Sequence, residues 1–189
     1  MMKKIALSVL VAATVAMADC SYSKSGDVSV NWTAFKTPMK KGVGGTFRSI
    51  VYKGTEKGAS LTQLLKGAKV MIQTNNVDSG NTGRDAKLVQ FFFNQMDGQM
   101  LEAQILDMDE EAKVILVEVI MNGKGLNVPM AYSYEKGVFT AGGVIDLGDF
   151  KALDALTSIN RACYDLHAGK TWQDVNIGFS VKVEESCTK

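Results

Sequence analysis

Apolar and polar residues alternate with a period of two along most of this chain, which predicts strands. Asp27–Lys36, DVSVNWTAFK, puts Val28, Val30, Trp32 and Ala34 on one face. Gly45–Lys53 forms a second strand, with Gly42, Gly44 and Gly45 as the bend between the two. Ser60 caps a short helical turn, LTQLLKG, that Gly67 ends, and Ala68–Val77 is a third strand. From Gly98 the pattern is a meander of four strands, Gln99–Met108, Lys113–Met121, Leu126–Tyr134 and Val138–Leu147. Acidic and glycine-containing turns separate them, and Asn122-Gly123 is a strong hairpin signal. The period then changes to that of a helix over Asp149–His167, with Phe150, Leu153, Leu156, Ile159 and Cys163 on one stripe and Gly169 as its stop. Val175, Ile177, Phe179, Val181 and Val183 alternate in a last strand.

One stretch breaks this rhythm. Thr74–Phe93 leaves a strand, turns through Asn75, Asn76, Asp78, Ser79, Gly80, Asn81 and Gly83, and becomes helical around Arg84, Asp85 and Leu88. It finishes in the triplet Phe91-Phe92-Phe93. Successive helical residues rotate by about 100°, so three adjacent rings cannot share one face. At least one must enter a second apolar compartment or sit where the helix gives way. A helix that plugs a hollow sheet provides that place.

The fold class that follows is mainly β: an antiparallel β-barrel of about eight strands with inserted α-helices. A sheet of about eight strands removes its edges by closing, and at that size the interior is either filled or holds one small ligand. The inward parities are strongly apolar, and ten methionines add adaptable lining. Periodicity alone leaves a filled core and a ligand pocket equally open.

The chain starts Met1-Met2-Lys3-Lys4, runs apolar from Ile5 to Met17 and reaches a small-residue site at Ala16-Met17-Ala18. This predicts a cleavable signal peptide over 1–18, with one domain over 19–189, because the apolar run is too short to span a bilayer. Removing 18 of the 189 residues leaves 171, enough for one sizeable core. Lys3 and Lys4 leave with the signal, so 19 basic residues face 20 acidic ones, a net charge of about −1. That balance argues against nucleic acid as a partner. Export predicts an oxidising, periplasmic setting and a disulfide among Cys20, Cys163 and Cys187. If the first and last strands pair to close a barrel, the chain ends are neighbours, which favours Cys20–Cys187.

Three local patterns suggest chemistry and have simpler readings. Gly169-Lys170-Thr171 lacks the earlier glycine of a phosphate loop, since Tyr164 stands there, and is read as a helix terminus. Cys163 and His167 share a helix face as a nucleophile and base would. The simpler reading is a buried cysteine and a histidine whose charge a helix C-terminus favours. His167 is the only histidine, so no metal site with several imidazoles exists, and no metal or other cofactor is expected. Arg84 and Asp85, adjacent in sequence, do not face each other on a helix and are read as separate structural anchors.

These blocks together resemble the YceI-like family of exported lipid-binding proteins. The carriers are the turn and helix start Asn76–Leu88 with its Arg84-Asp85 pair, the phenylalanines after it, the hairpin Met121–Met130 with Pro129, and the opening strands with Lys36 and Gly45. Lys87 stands where the family usually has histidine. The resemblance implies a lipocalin-like antiparallel eight-stranded β-barrel with inserted α-helices and a long apolar cavity that takes a polyisoprenoid, an isoprenoid quinone-like molecule, or a fatty acid or amide, often as a homodimer. The protein is then expected to be a carrier and not an enzyme. The expected ligand-binding side chains are Trp32, Phe47, Ile72, Ile105, Val119, Met130 and Tyr132 from the strands. Leu88, Phe92 and Phe150 are expected from the helical stretches, Met100 from the Gln99–Met108 strand, and Trp172 from the connection before the last strand. The alternatives are an envelope interaction protein with a filled barrel and a thiol-dependent enzyme using Cys163 and His167.

Overall fold

The computed structural model describes residues 19–188, so the signal peptide predicted over 1–18 lies outside it. The strands are β1 (Asp19–Lys36), β2 (Lys41–Phe47), β3 (Ile50–Lys53), β4 (Lys57–Gly58), β5 (Lys69–Gln73), β6 (Val77–Asp78), β7 (Met100–Asp109), β8 (Val114–Met121), β9 (Lys124–Glu135), β10 (Val138–Asp146) and β11 (Thr171–Thr188). The helices are α1 (Leu61–Leu65), α2 (Thr82–Phe91), α3 (Leu153–Ala162) and α4 (Tyr164–His167).

All pairings are antiparallel, in the order β3-β5-β7-β8-β9-β10-β11-β1-β2-β6, with β4 on the first half of β1. The ring closes through the chain itself. β2 pairs with β1 and β3 pairs with β5, while only Arg48 and Ser49 separate β2 from β3. Counting β2–β3 as one broken strand gives eight positions around the barrel, the architecture expected from the alternation.

Several local expectations change. The glycines at 42, 44 and 45 lie within β2 and do not form the bend. The turn is Thr37–Lys40, where Thr37 and Lys40 both take positive φ. Gly45 is needed for close approach: a Cβ there would lie 2.6 Å from Cζ2 of Trp32 and 2.8 Å from the carbonyl oxygen of Asp78. The long C-terminal helix is two short ones. Phe150 sits in the preceding turn, and Cys163 breaks the helix at φ −123° and ψ 25°. Asn160 explains the tight return, since its side chain donates to the carbonyl of Gly169 and accepts from the Thr171 hydroxyl. The third strand ends at Gln73 in a 3₁₀ turn over Thr74–Asn76.

Cys20 and Cys187 sit opposite each other in the β1–β11 register and form a disulfide, leaving Cys163 as a buried free thiol. The end of the barrel near the disulfide is filled. Phe139 is fully buried and stacks on Tyr132 at 5.0 Å and on Phe179 at 5.8 Å, and the Tyr134 hydroxyl donates to the carbonyl of Val183. The opposite end is covered by α2, α3 and α4. Among the described residues no helix is long and apolar enough to cross a membrane.

Candidate functional site

The Thr74–Phe93 stretch builds the cover of the open end. Asn81 caps α2 by accepting from the amide of Arg84 at 2.9 Å, satisfying one of the helix's free donors. Asp85 is buried, and its carboxylate accepts from the Ser79 amide at 2.9 Å, from the Ser79 hydroxyl and from Arg48 Nη2 at 3.3 Å. Arg84 donates Nε to the Ser79 hydroxyl at 2.8 Å and Nη2 to the Ser79 carbonyl at 2.6 Å. A bond from the Gly80 amide, and then Arg48 at 3.1 Å, keep the Asp78 carboxyl below its usual pKa. Arg84 and Asp85 thus hold the same turn from two sides and do not pair with each other. Replacing Asp85 with Asn should cost about 2 kcal/mol, because Arg48 and Ser79 lose the charge that balances and bonds them in a largely buried site. Urea denaturation would measure it, and a loss below about 0.5 kcal/mol would show that water replaces the carboxylate.

The phenylalanine triplet resolves as the helix geometry requires. Phe91 ends α2, Phe92 takes the C-cap with non-helical dihedrals, and Phe93 enters a 3₁₀ turn. Phe93 is buried, with its ring 6.4 Å from Phe47 and 5.2 Å from Phe92. Phe92 and Phe93 both reach the space inside the barrel.

That space is a cavity of about 570 Å³ beneath α2, α3 and α4. Nine of the twelve expected side chains line it: Trp32, Phe47, Ile72, Leu88, Phe92, Ile105, Val119, Met130 and Trp172. The remaining three lie elsewhere. Met100 is 40% exposed at the start of β7. Phe150 is buried in the core, with its carbonyl accepting from Asn122 Nδ2 at 2.9 Å. Tyr132 belongs to the filled end. Its apolar parity reads the same in the sequence as that of Met130, and only the position along the barrel axis separates wall from filling. The Tyr132 hydroxyl is buried with no hydrogen-bond partner among the described residues. Tyr132→Phe should therefore raise stability by about 1 kcal/mol while leaving chain binding unchanged, read by thermal melting and probe titration. A drop in binding would put Tyr132 in contact with the ligand.

Other wall residues come from strands whose alternation was evident, including Leu101, Ala103, Val175, Ile177 and Phe179. Leu156, Ile159 and Cys163 close the wall from α3 and its cap. Polar side chains join the lining near α2 and α4: Lys36, Asn81, Arg84, Lys87, His167 and Thr171. Lys36 shares its parity with Trp32 and Ala34, a signal that could have placed it. The cavity reaches the surface beside α4, where the wall residue Leu166 is 62% exposed.

Cys163 and His167 both border the cavity, but the thiol is buried and His167 Nδ1 bonds the Thr171 hydroxyl at 2.7 Å. Burial, and then the charges of Lys36 and Lys87, hold the His167 imidazole below its usual pKa, contrary to the cation expected at a helix C-terminus. The four-residue α4 has too small a dipole to offset them. The unfolded chain therefore takes up the His167 proton first. Stability from this group is present above the unfolded pKa and is lost as pH falls from there to the folded value. Stability should decline as pH falls below the ordinary histidine pKa of about 6.5, and His167→Gln should flatten that part of the profile. An unchanged slope would assign it to other groups.

The fold and site define a class: an antiparallel barrel, filled at one end and hollow at the other, with an apolar cavity roofed by short helices. The sequence matches no protein-family model and no curated protein. Solved structures do match. A polyisoprenoid-binding domain from Saccharophagus degradans, implicated in plant cell wall breakdown, aligns over 90% of this chain and 100% of its own at 12% identity and a TM-score of 0.58. BcnA from Burkholderia cenocepacia covers 83% of this chain and 96% of its own at 16% identity and a TM-score of 0.54. The YCEI protein of Campylobacter jejuni covers 79% and 86% at 18% identity and a TM-score of 0.53. The chain has the fold of the YceI-like proteins, as the resemblance around Arg84-Asp85 implied.

Proposed function

We propose that this protein binds one long apolar chain, a prenyl or fatty-acyl lipid, and carries or sequesters it in the periplasm. The observation that carries the reading is the 570 Å³ cavity, walled by aliphatic and aromatic side chains from most of the barrel strands and from α2 and α3. Such a space matches the size and lining of small-ligand sites, and each methylene moved into it from water gains about 0.8 kcal/mol before ordering costs. The polyisoprenoid-binding domain from Saccharophagus degradans, with the same fold, supports the prenyl class. The disulfide supports an exported setting, where it would persist. The buried Cys163 thiol and the Thr171-bound His167 support binding over thiol chemistry. A homodimer, part of the same expectation, is tested by light scattering of the eluted protein.

The test is mass spectrometry of an organic extract of the folded protein, followed by melting with added prenyl and acyl chains. A stoichiometric lipid, or a rise in Tm that grows with ligand concentration, supports the reading. An empty extract together with an unchanged Tm for both chain types would overturn it in favour of a barrel acting through its surface.

A further inference from the structure

The geometry points to a ligand with an anionic end group: we infer that Lys36 and Lys87 at the cavity mouth hold a carboxylate or phosphate at the end of the apolar chain. This rests on the chain-binding reading above and adds the chemistry of the head.

Along β1 the cavity wall runs Val28, Val30, Trp32 and Ala34, and past an irregularity in the β1–β11 register Phe35 and the last residue, Lys36, both border the space. The wall therefore changes from apolar to cationic where the strand reaches the roofed end. Lys36 pairs in register with Thr171, whose hydroxyl meets His167. From the other side, α2 brings Arg84, Lys87 and Leu88 to the cavity, positions three and four apart that share a face. Two lysines on separate elements thus border one space, both half-buried and not extended into water.

The charges around them do not cancel. Arg84 is occupied by the hydroxyl and carbonyl of Ser79, and Asp85 and Asp78 both pair with Arg48. The one carboxylate on the cavity wall, Glu102, is bound by Lys69. Lys36 and Lys87 form no ion pair among the described residues. His167 borders the same space, and burial first, then the charges of Lys36 and Lys87, lower its imidazole pKa. A cavity otherwise apolar and partly screened from water gives a charged end group there more weight than a surface pair would have. An aliphatic chain below and two uncompensated cations at the rim fit one amphiphile with a negative head.

The test compares three ligands with one chain, oleyl alcohol, oleic acid and oleyl phosphate, in displacement of a fluorescent apolar probe at neutral pH. The acid or phosphate should bind at least about ten-fold tighter than the alcohol, a difference of about 1.4 kcal/mol. The double substitution Lys36→Gln with Lys87→Gln should bring acid and phosphate binding down to that of the alcohol and so remove the preference, with melting confirming the fold. A phosphate preference over carboxylate would identify a lipid phosphate as the source, and the reverse a free fatty acid. Equal binding of all three by the unaltered protein would overturn this inference alone, without need of the variant. Binding of none would overturn the chain-binding reading and this one with it.

Discussion

Ala103→Trp should abolish chain binding and leave the barrel folded. Ala103 lies mid-way along β7, opposite Val70 of β5 and Val119 of β8, and all three side chains border the cavity. An indole there would project into hollow space, so it meets little of the crowding that makes large residues costly in filled cores. Aromatic residues are also well suited to strands. It would take up the room a ligand chain needs beside Leu101 and Ile105. Affinity for oleic acid should fall at least about a hundred-fold, or about 2.8 kcal/mol, and the ligand-induced rise in Tm should vanish. Folding is checked by near-ultraviolet circular dichroism. A folded variant that binds as before would show that the chain docks outside the barrel.

Removing the disulfide should have the largest effect on stability. Cys20 and Cys187 are 167 positions apart and join the first strand to the last. A cross-link over so long a loop restricts the unfolded chain strongly, and losing a native disulfide commonly costs 2–5 kcal/mol. For Cys20→Ser with Cys187→Ser we expect a loss of about 3 kcal/mol, seen as a fall in Tm of roughly 10 °C. Most of the β1–β11 pairing lies beyond the bond and should persist, so the variant should still bind lipid at low temperature. A loss under about 1 kcal/mol would mean that the strand ends fray freely and the bond constrains little.

Much of this molecule is legible in its sequence because a strand's two-residue period ties side-chain type to face. Val28, Val30, Trp32 and Ala34 announce the inner wall without reference to any partner. The Asn122-Gly123 hairpin sets its own register, and the change from the polar turn to Arg84-Asp85 marks where α2 begins. The glycines of β2 misled because glycine reads first as a bend. At Gly45 it is the indole of Trp32 and the Asp78 carbonyl that exclude a Cβ, contacts made across strands. The long helix misled in the same way: its apolar spacing continues past Cys163, while Asn160 pulls the returning chain in and breaks it.

The sequence by itself determined a mainly β chain of about eight strand positions and its inward faces, and it favoured the covalent link of its ends. Those features depend on neighbours along the chain or on simple alternation. Only the tertiary structure decided which part of the barrel is hollow. Tyr132 and Met130 carry the same parity, yet one fills the closed end beside Phe139 and the other lines the cavity. It also decided that Lys36, Lys87 and His167, far apart in the chain, share one mouth. Depth along a barrel axis and the meeting of distant elements are set by packing in three dimensions, which no local period encodes.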